Sequence, residues 1–315
     1  MGLYIAKRLV WLVPVLFVIS VIVFSIVHLI PGDPATVLLG TEAADPSLLE
    51  TMKQKYGLDK PVYVQYVLWL QRVLHGDLGL SVTTGRSVSK LVAERIPYTL
   101  ELGLYALALA LSLAIPLGAF AAVRKTKGVQ WTFQTLTLLG LSIPQFWSGT
   151  MFILLFSVHL GWFTIVNFPS FIGSPLANLR SFFLPAFTLA LPMAASIARV
   201  TRASMLEVSQ MDYILTARAK GLGQLRIIFM HMLKNALIPI ITVIGIYAGY
   251  LLGGVIVIEK VFAIPGLGRL GVDAILQRDY PVLQGTVLVV VVLFTLVNLV
   301  VDVLYVFANP KIRYA

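Results

Sequence analysis

The stretch SMLEVSQMDYILTARAKGLGQLRIIFMHMLKNALIP, residues 204–239, is a polar interruption between two long hydrophobic blocks. Within it Met205, Val208, Met211 and Leu215 recur at steps of three, three and four, a spacing that predicts one side of a helix. Gly221 and Gly223 break that pattern. Leu225, Ile228, Met232 and Ala236 then begin a second stripe, with Arg226, His231 and Lys234 off it. The expectation is helix, glycine bend, helix. A basic helical hairpin held between apolar blocks offers a soluble partner a surface to push against. The competing reading is that its charges only set orientation in a membrane.

The blocks on either side decide the class. Hydrophobic residues fill 58% of the 315 positions, charged residues only 12%, and the mean hydropathy is +0.90. That is the composition of a membrane protein. The chain has no cysteine, which excludes a disulfide framework and a thiolate metal site. His28, His75, His159 and His231 are scattered without ligand spacing. The formal charge of +10 could point to nucleic acid, so its distribution along the chain has to be read.

Six apolar stretches read as membrane spans, the first of them long enough to cross a bilayer core of about 30 Å. The first, residues 10–30, stands behind Lys7 and Arg8 and is longer than a usual signal-peptide core. Residues 31–97 are polar and punctuated, an extramembrane segment with a surface helix over 61–74. The second span is 98–123. The third, 135–158, carries SIPQFW, where Pro144 removes a backbone hydrogen bond at membrane depth. After a short loop, 161–180, the fourth span, 184–200, is expected to be short and broken at Pro185 and Pro192. The fifth, 238–258, sets Gly245, Gly249 and Gly253 on one face, a spacing that lets helices approach closely. A second extramembrane loop, 259–281, precedes the sixth span, 282–307. The fold expected is an all-α membrane protein of six transmembrane helices, with an extracytoplasmic segment between the first two. Residues 1–97 would form the N-terminal helix and that segment, and 98–315 a five-helix core containing a cytoplasmic loop at 201–237.

Charge tests this map. With the N-terminus, the loop of Arg124, Lys125 and Lys127, the hairpin and the tail on one side, only Glu207 and Asp212 offset their basic residues. On the other side acids and bases cancel. The basic excess therefore lies wholly on the hairpin's side, as the positive-inside bias expects. Both termini and the hairpin are expected in the cytoplasm, and nucleic acid is not implied.

Few chemical motifs survive. Gly266, Gly268 and Gly271 spell GxGxxG, but they follow an apolar span rather than a strand of a βαβ unit. A tight turn using glycine's positive φ is the better account. No stretch reads GxxxxGK[ST], HExxH or GxSxG, so neither a nucleotide loop nor a hydrolase site is visible. Energy for transport would have to come from another chain. Asn298 and Asp302 share a face of the last span. An intramembrane carboxylate faces protein or water by default, and near the tail a structural hydrogen bond or ion pair is the expectation.

A long series of ordered motifs completes the reading. It runs through PGDPA (31–35), GLDKP (57–61), GDLGLS (76–81), TLELG (99–103), SIPQFW (142–147), TARAKGLGQLRIIFMHMLKNALIP (216–239), EKVFAIPGLGRL (259–270), RDYP (278–281), NLVVD (298–302) and NPKIR (309–313). The chain resembles permease subunits of ATP-binding-cassette importers along nearly its whole length, in the version used by the dipeptide, oligopeptide, glutathione and nickel group. The short 161–180 loop is more similar to glutathione-type members. One departure is Leu215, Thr216 and Ala217 where the general importer loop begins Glu-Ala-Ala; Gly221 is kept.

The resemblance implies a type I importer permease that is not itself an enzyme and binds no cofactor. It would pair with a second, similar permease, two cytoplasmic ATPases holding ATP and Mg, an extracytoplasmic solute-binding protein and membrane lipid. It also implies a coupling helix seated on one ATPase, formed by Tyr213, Thr216, Ala217, Arg218, Ala219, Lys220 and Gly221. Ser142, Gln145, Asn298 and Asp302 are expected as pathway or structural polar positions. The solute expected is a short peptide, including glutathione, in a bacterial or archaeal cytoplasmic membrane. The alternative within transport is nickel or a nickel chelate. An integral membrane enzyme, or a channel or sensor, is the alternative outside it.

Overall fold

The structure, a computed structural model, describes residues 2–29, 59–163 and 167–308. The motifs PGDPA and NPKIR, the start of GLDKP and residues 31–58 of the expected extracytoplasmic segment lie outside the described residues. Among those described, all regular secondary structure is helical. The chain divides into two compact units, one of residues 2–99 with 265–296, the other of 100–264 with the segment from Val297.

In the first unit, helix α1 (Gly2–Leu29) runs unbroken through Pro14 and packs against the amphipathic α2 (Val62–Leu74). Ser20 Oγ lies 2.7 Å from Tyr66 Oη, and His28 Nε2 lies 3.1 Å from Gln65 Oε1. The Phe24 ring sits 5.4 Å from Tyr66 and 5.7 Å from Trp69. The expected surface helix therefore has one face closed by aromatic packing while Tyr63 stays exposed. Val88, Leu91 and Val92, at the start of α3 (Val88–Val123), form a core with Leu267, Ala274 and Val282.

The second unit is built on α6 (Pro175–Ser209). This helix packs most extensively against α8 (Lys234–Val261), and also against α4 (Lys127–Ser142) and α5 (Gln145–Phe152). The expected short, broken fourth span is corrected here: α6 is one helix of 35 residues with Pro185 and Pro192 inside it. Each proline deletes one backbone hydrogen bond, but 67% of the helix's apolar window is buried, so side-chain packing holds what the lost bonds do not. Two neighbours approach it closely at glycines. A Cβ on Gly118 of α3 would stand 2.6 Å from the Ala198 carbonyl oxygen, and one on Gly140 of α4 would stand 3.0 Å from Ala195 Cβ. Of the three glycines predicted to share a face of the fifth span, Gly245 and Gly249 are buried and Gly253 is exposed.

The third span also departs from expectation. Instead of one helix over 135–158, α4 and α5, which continues as a π-helix over Ile153–His159, meet at an angle of 99°. Proline disfavours the helical conformation in the residue before it, and Ile143 is extended (φ −79, ψ 123) ahead of Pro144.

Helix α9 (Leu267–Leu276) and helix α10 (Tyr280–Ala308) complete the described chain. Among the described residues four helices are long and apolar enough to cross a membrane alone, and up to five crossings result if the bent pair counts as one; within α1 the apolar stretch is Val10–Ser25. The GxGxxG glycines do not supply the turn expected of them. Gly266 is extended (φ −100, ψ −178), and Gly268 and Gly271 lie inside α9. The left-handed residues on either side are Ala263 (φ 56) and Arg278 (φ 55).

Candidate coupling surface

Helix α6 ends at Ser209, and Met211 is extended (φ −74, ψ 142) before α7 (Asp212–Ala219) begins. One extended residue resets the helical phase, so the predicted stripe splits. Met205 and Val208 are buried, but Met211 is 43% and Leu215 58% exposed. The inward face of α7 is Ile214 and Ala217 instead. Asp212 in the first turn and Arg218 in the last complement the helix dipole. Tyr213, Thr216, Arg218, Ala219 and Lys220 are exposed, so of the seven expected coupling residues only Ala217 is buried. In the second stripe Met232 and Ala236 are buried, as is Ile227, but Leu225 is exposed.

Gly221 ends the helix as the sequence predicts. Its φ is +73, its N–H donates to the Arg218 carbonyl (2.9 Å), and the Leu222 N–H donates to the Ala217 carbonyl (3.3 Å). This pairing is the Schellman helix end, whose residue after the cap must be left-handed. Beyond Gln224–Arg226 the chain is a π-helix over Ile227–Leu233 and then α8. The His231 carbonyl accepts from Tyr213 Oη (3.3 Å) and Asn235 Nδ2 (2.7 Å), linking α7 to the π-helix and to the first turn of α8.

A cleft of 590 Å³ opens beside α7, lined by Lys125, Gln210, Arg218 and Gln224 together with the apolar Ile227 and Met232. Two residues that sequence reading did not single out brace the helices nearby. Gln130 Nε2 donates to the Ala121 and Arg124 carbonyls (both 2.8 Å) at the end of α3, and its Oε1 accepts from Arg202 of α6. The Arg202 guanidinium also lies 5.5 Å from the centre of the Phe133 ring. The partners are 72 positions apart, and nothing local marks the pairing.

The four polar positions expected along the spans fall at two places. Ser142 is exposed at the end of α4 and Gln145 opens α5, so both flank the 99° bend. Asn298 and Asp302 are half-buried, one turn apart on α10.

Residues 114–314 match the family described as binding-protein-dependent transport system inner membrane component, and residues 1–103 match the N-terminal region of such components. This chain belongs to that family. It is a multi-pass permease subunit of an inner-membrane transport system, and not an enzyme. Among members of the family, a peptide transport system permease protein of Brucella abortus is 43% identical over 310 residues, covering 98% of each chain. The glutathione transport system permease protein GsiC of Escherichia coli K12 is 43% identical over 311 residues, 99% of each. A solved structure, the inward-facing MetNI methionine ABC transporter, matches with a TM-score of 0.55 at 19% identity. That match covers 70% of this chain and 96% of the other, and it supports the fold alone.

Proposed function

We propose that this chain is the membrane permease of an ATP-driven importer of short peptides, glutathione included. The observation that carries the reading is full-length similarity to peptide and glutathione permeases at 43% identity. None of the relatives described above is a nickel permease, and that alternative is not favoured. A second permease, two cytoplasmic ATPases that bind ATP and Mg, and an extracytoplasmic solute-binding protein complete the assembly within the lipid bilayer. Both termini and the 201–237 hairpin lie in the cytoplasm.

Helix α7 is the coupling element, with Tyr213, Thr216, Ala217, Arg218, Ala219, Lys220 and Gly221 as its working residues. Its exposed face, with Leu215 among basic residues, suits a groove on an ATPase. Closure of the ATPases would displace α7, and the bonds to the His231 carbonyl would pass that displacement to α8. Ser142, Gln145, Asn298 and Asp302 remain the polar positions assigned to the pathway or its support.

Proteoliposomes holding the full assembly test this reading. Uptake of a labelled tripeptide should require ATP inside and binding protein outside, and a tenfold excess of nickel should leave it unchanged. ATP-independent uptake, or suppression by nickel, would remove the peptide-import reading.

A further inference from the structure

Glu101 places a carboxylate one turn into the apolar part of α3, and its surroundings are arranged to present it. Asn178, at the start of α6, is fully buried. Its Nδ2 donates to Glu101 Oε2 (2.7 Å) and to the Pro169 carbonyl (2.8 Å), and its Oδ1 accepts from Tyr105 Oη (2.8 Å). Nδ2 faces two acceptors and Oδ1 one donor, so the amide can sit only one way round. Tyr105 is one turn along α3 from Glu101. The chain tyrosine to amide to carboxylate thus runs in one direction, each bond polarising the next.

The second carboxylate oxygen, Oε1, accepts no hydrogen bond from any described residue and is not among the buried atoms left without a partner. No described lysine or arginine forms an ion pair with Glu101. A carboxylate in an apolar helix faces protein or water rather than lipid. Here one oxygen is fixed from behind and the other is open. Such a group accepts from a cationic donor, and the ammonium of a short peptide carries three N–H donors on one compact charge.

We propose that Glu101, held by Asn178 and Tyr105, is a recognition point for the terminal ammonium of the transported solute. The inference rests on the peptide-import reading, but the two fail differently.

The test uses the complete transporter in proteoliposomes with labelled trialanine. Glu101→Gln should cut the initial uptake rate about tenfold or more while ATP hydrolysis stimulated by the binding protein persists. Glu101→Asp should stay within about threefold of the parent. Because the chain has no cysteine, Glu101→Cys supplies its sole thiol. A membrane-impermeant thiol reagent should reach it, and trialanine with binding protein should slow that labelling. Full uptake by Glu101→Gln overturns the proposal. So does lost uptake with a thiol that the reagent cannot reach or trialanine does not protect, because Glu101 then faces protein. If the parent transporter itself fails to take up trialanine, the peptide-import reading falls instead.

Discussion

The turns at Gly221 and at Arg278 share one backbone geometry and are secured in opposite ways. Both are Schellman ends. At the second, Arg278 N–H donates to the Ile275 carbonyl (3.2 Å) and Asp279 N–H to the Ala274 carbonyl (2.8 Å). Gly221 adopts its left-handed φ at no steric cost, and a Cβ there would meet nothing within 4 Å. Arg278 adopts φ 55 against a penalty of about 1–2 kcal/mol. What holds it is the next residue. Asp279 is 2% exposed, and its carboxylate accepts from Ser81 Oγ (2.5 Å), Thr83 Oγ1 (2.8 Å), Thr83 N (3.2 Å) and Val82 N (3.3 Å). A helix end can therefore be made easy or made fixed. This chain makes the proposed coupling end easy and the other one fixed.

The largest effect should come from unpinning the fixed turn. Asp279→Ala leaves several donors with no acceptor, and the loss should be at least about 3 kcal/mol, read as a fall in melting temperature of the purified assembly. An unchanged melting curve would show that the carboxylate network does not secure the turn. Next comes Gly221→Val, which adds a β-branched side chain at positive φ. It should cost about 1–2 kcal/mol locally and lower peptide uptake per ATP hydrolysed, with membrane insertion unchanged. Arg278→Gly sharpens the comparison, since it relieves a penalty that Asp279 now offsets. It should recover up to about 1 kcal/mol of the stability lost in Asp279→Ala, measured as the difference between the single and double variants. The smallest effect is that of Tyr213→Phe. It removes one long hydrogen bond at an exposed site, about 0.5 kcal/mol, and should slow uptake less than Gly221→Val does.

Much of this was legible in the chain, and the reasons differ by residue. The bend at Gly221 could be read because glycine marks the one residue type for which left-handed backbone is easy. The end at Arg278 could not, because its geometry is held from outside through Asp279, and Ser81 lies 198 positions from that residue. The apolar stripe through Met211 and Leu215 failed because an unmarked extended residue interrupts the helix, with neither glycine nor proline to announce it. Proline misled in both directions. Pro144 stands at a 99° bend, whereas Pro185 and Pro192 sit inside a helix that packing carries past them. Candidate-site residues contributed by α7 followed from sequence pattern and resemblance. The Gln130–Arg202 brace and the Glu101–Asn178–Tyr105 relay needed helices brought together in space.

Pro185 and Pro192 are seven residues apart, close to two full turns at about 3.6 residues each, so their missing bonds lie above one another on the same side of α6. The rungs absent are those to the Ser181 and Thr188 carbonyls. A rod lacking two rungs on a single flank yields toward that flank more readily than in any other direction. Force arriving at its Ser209 end would flex it as a leaf spring flexes, always the same way.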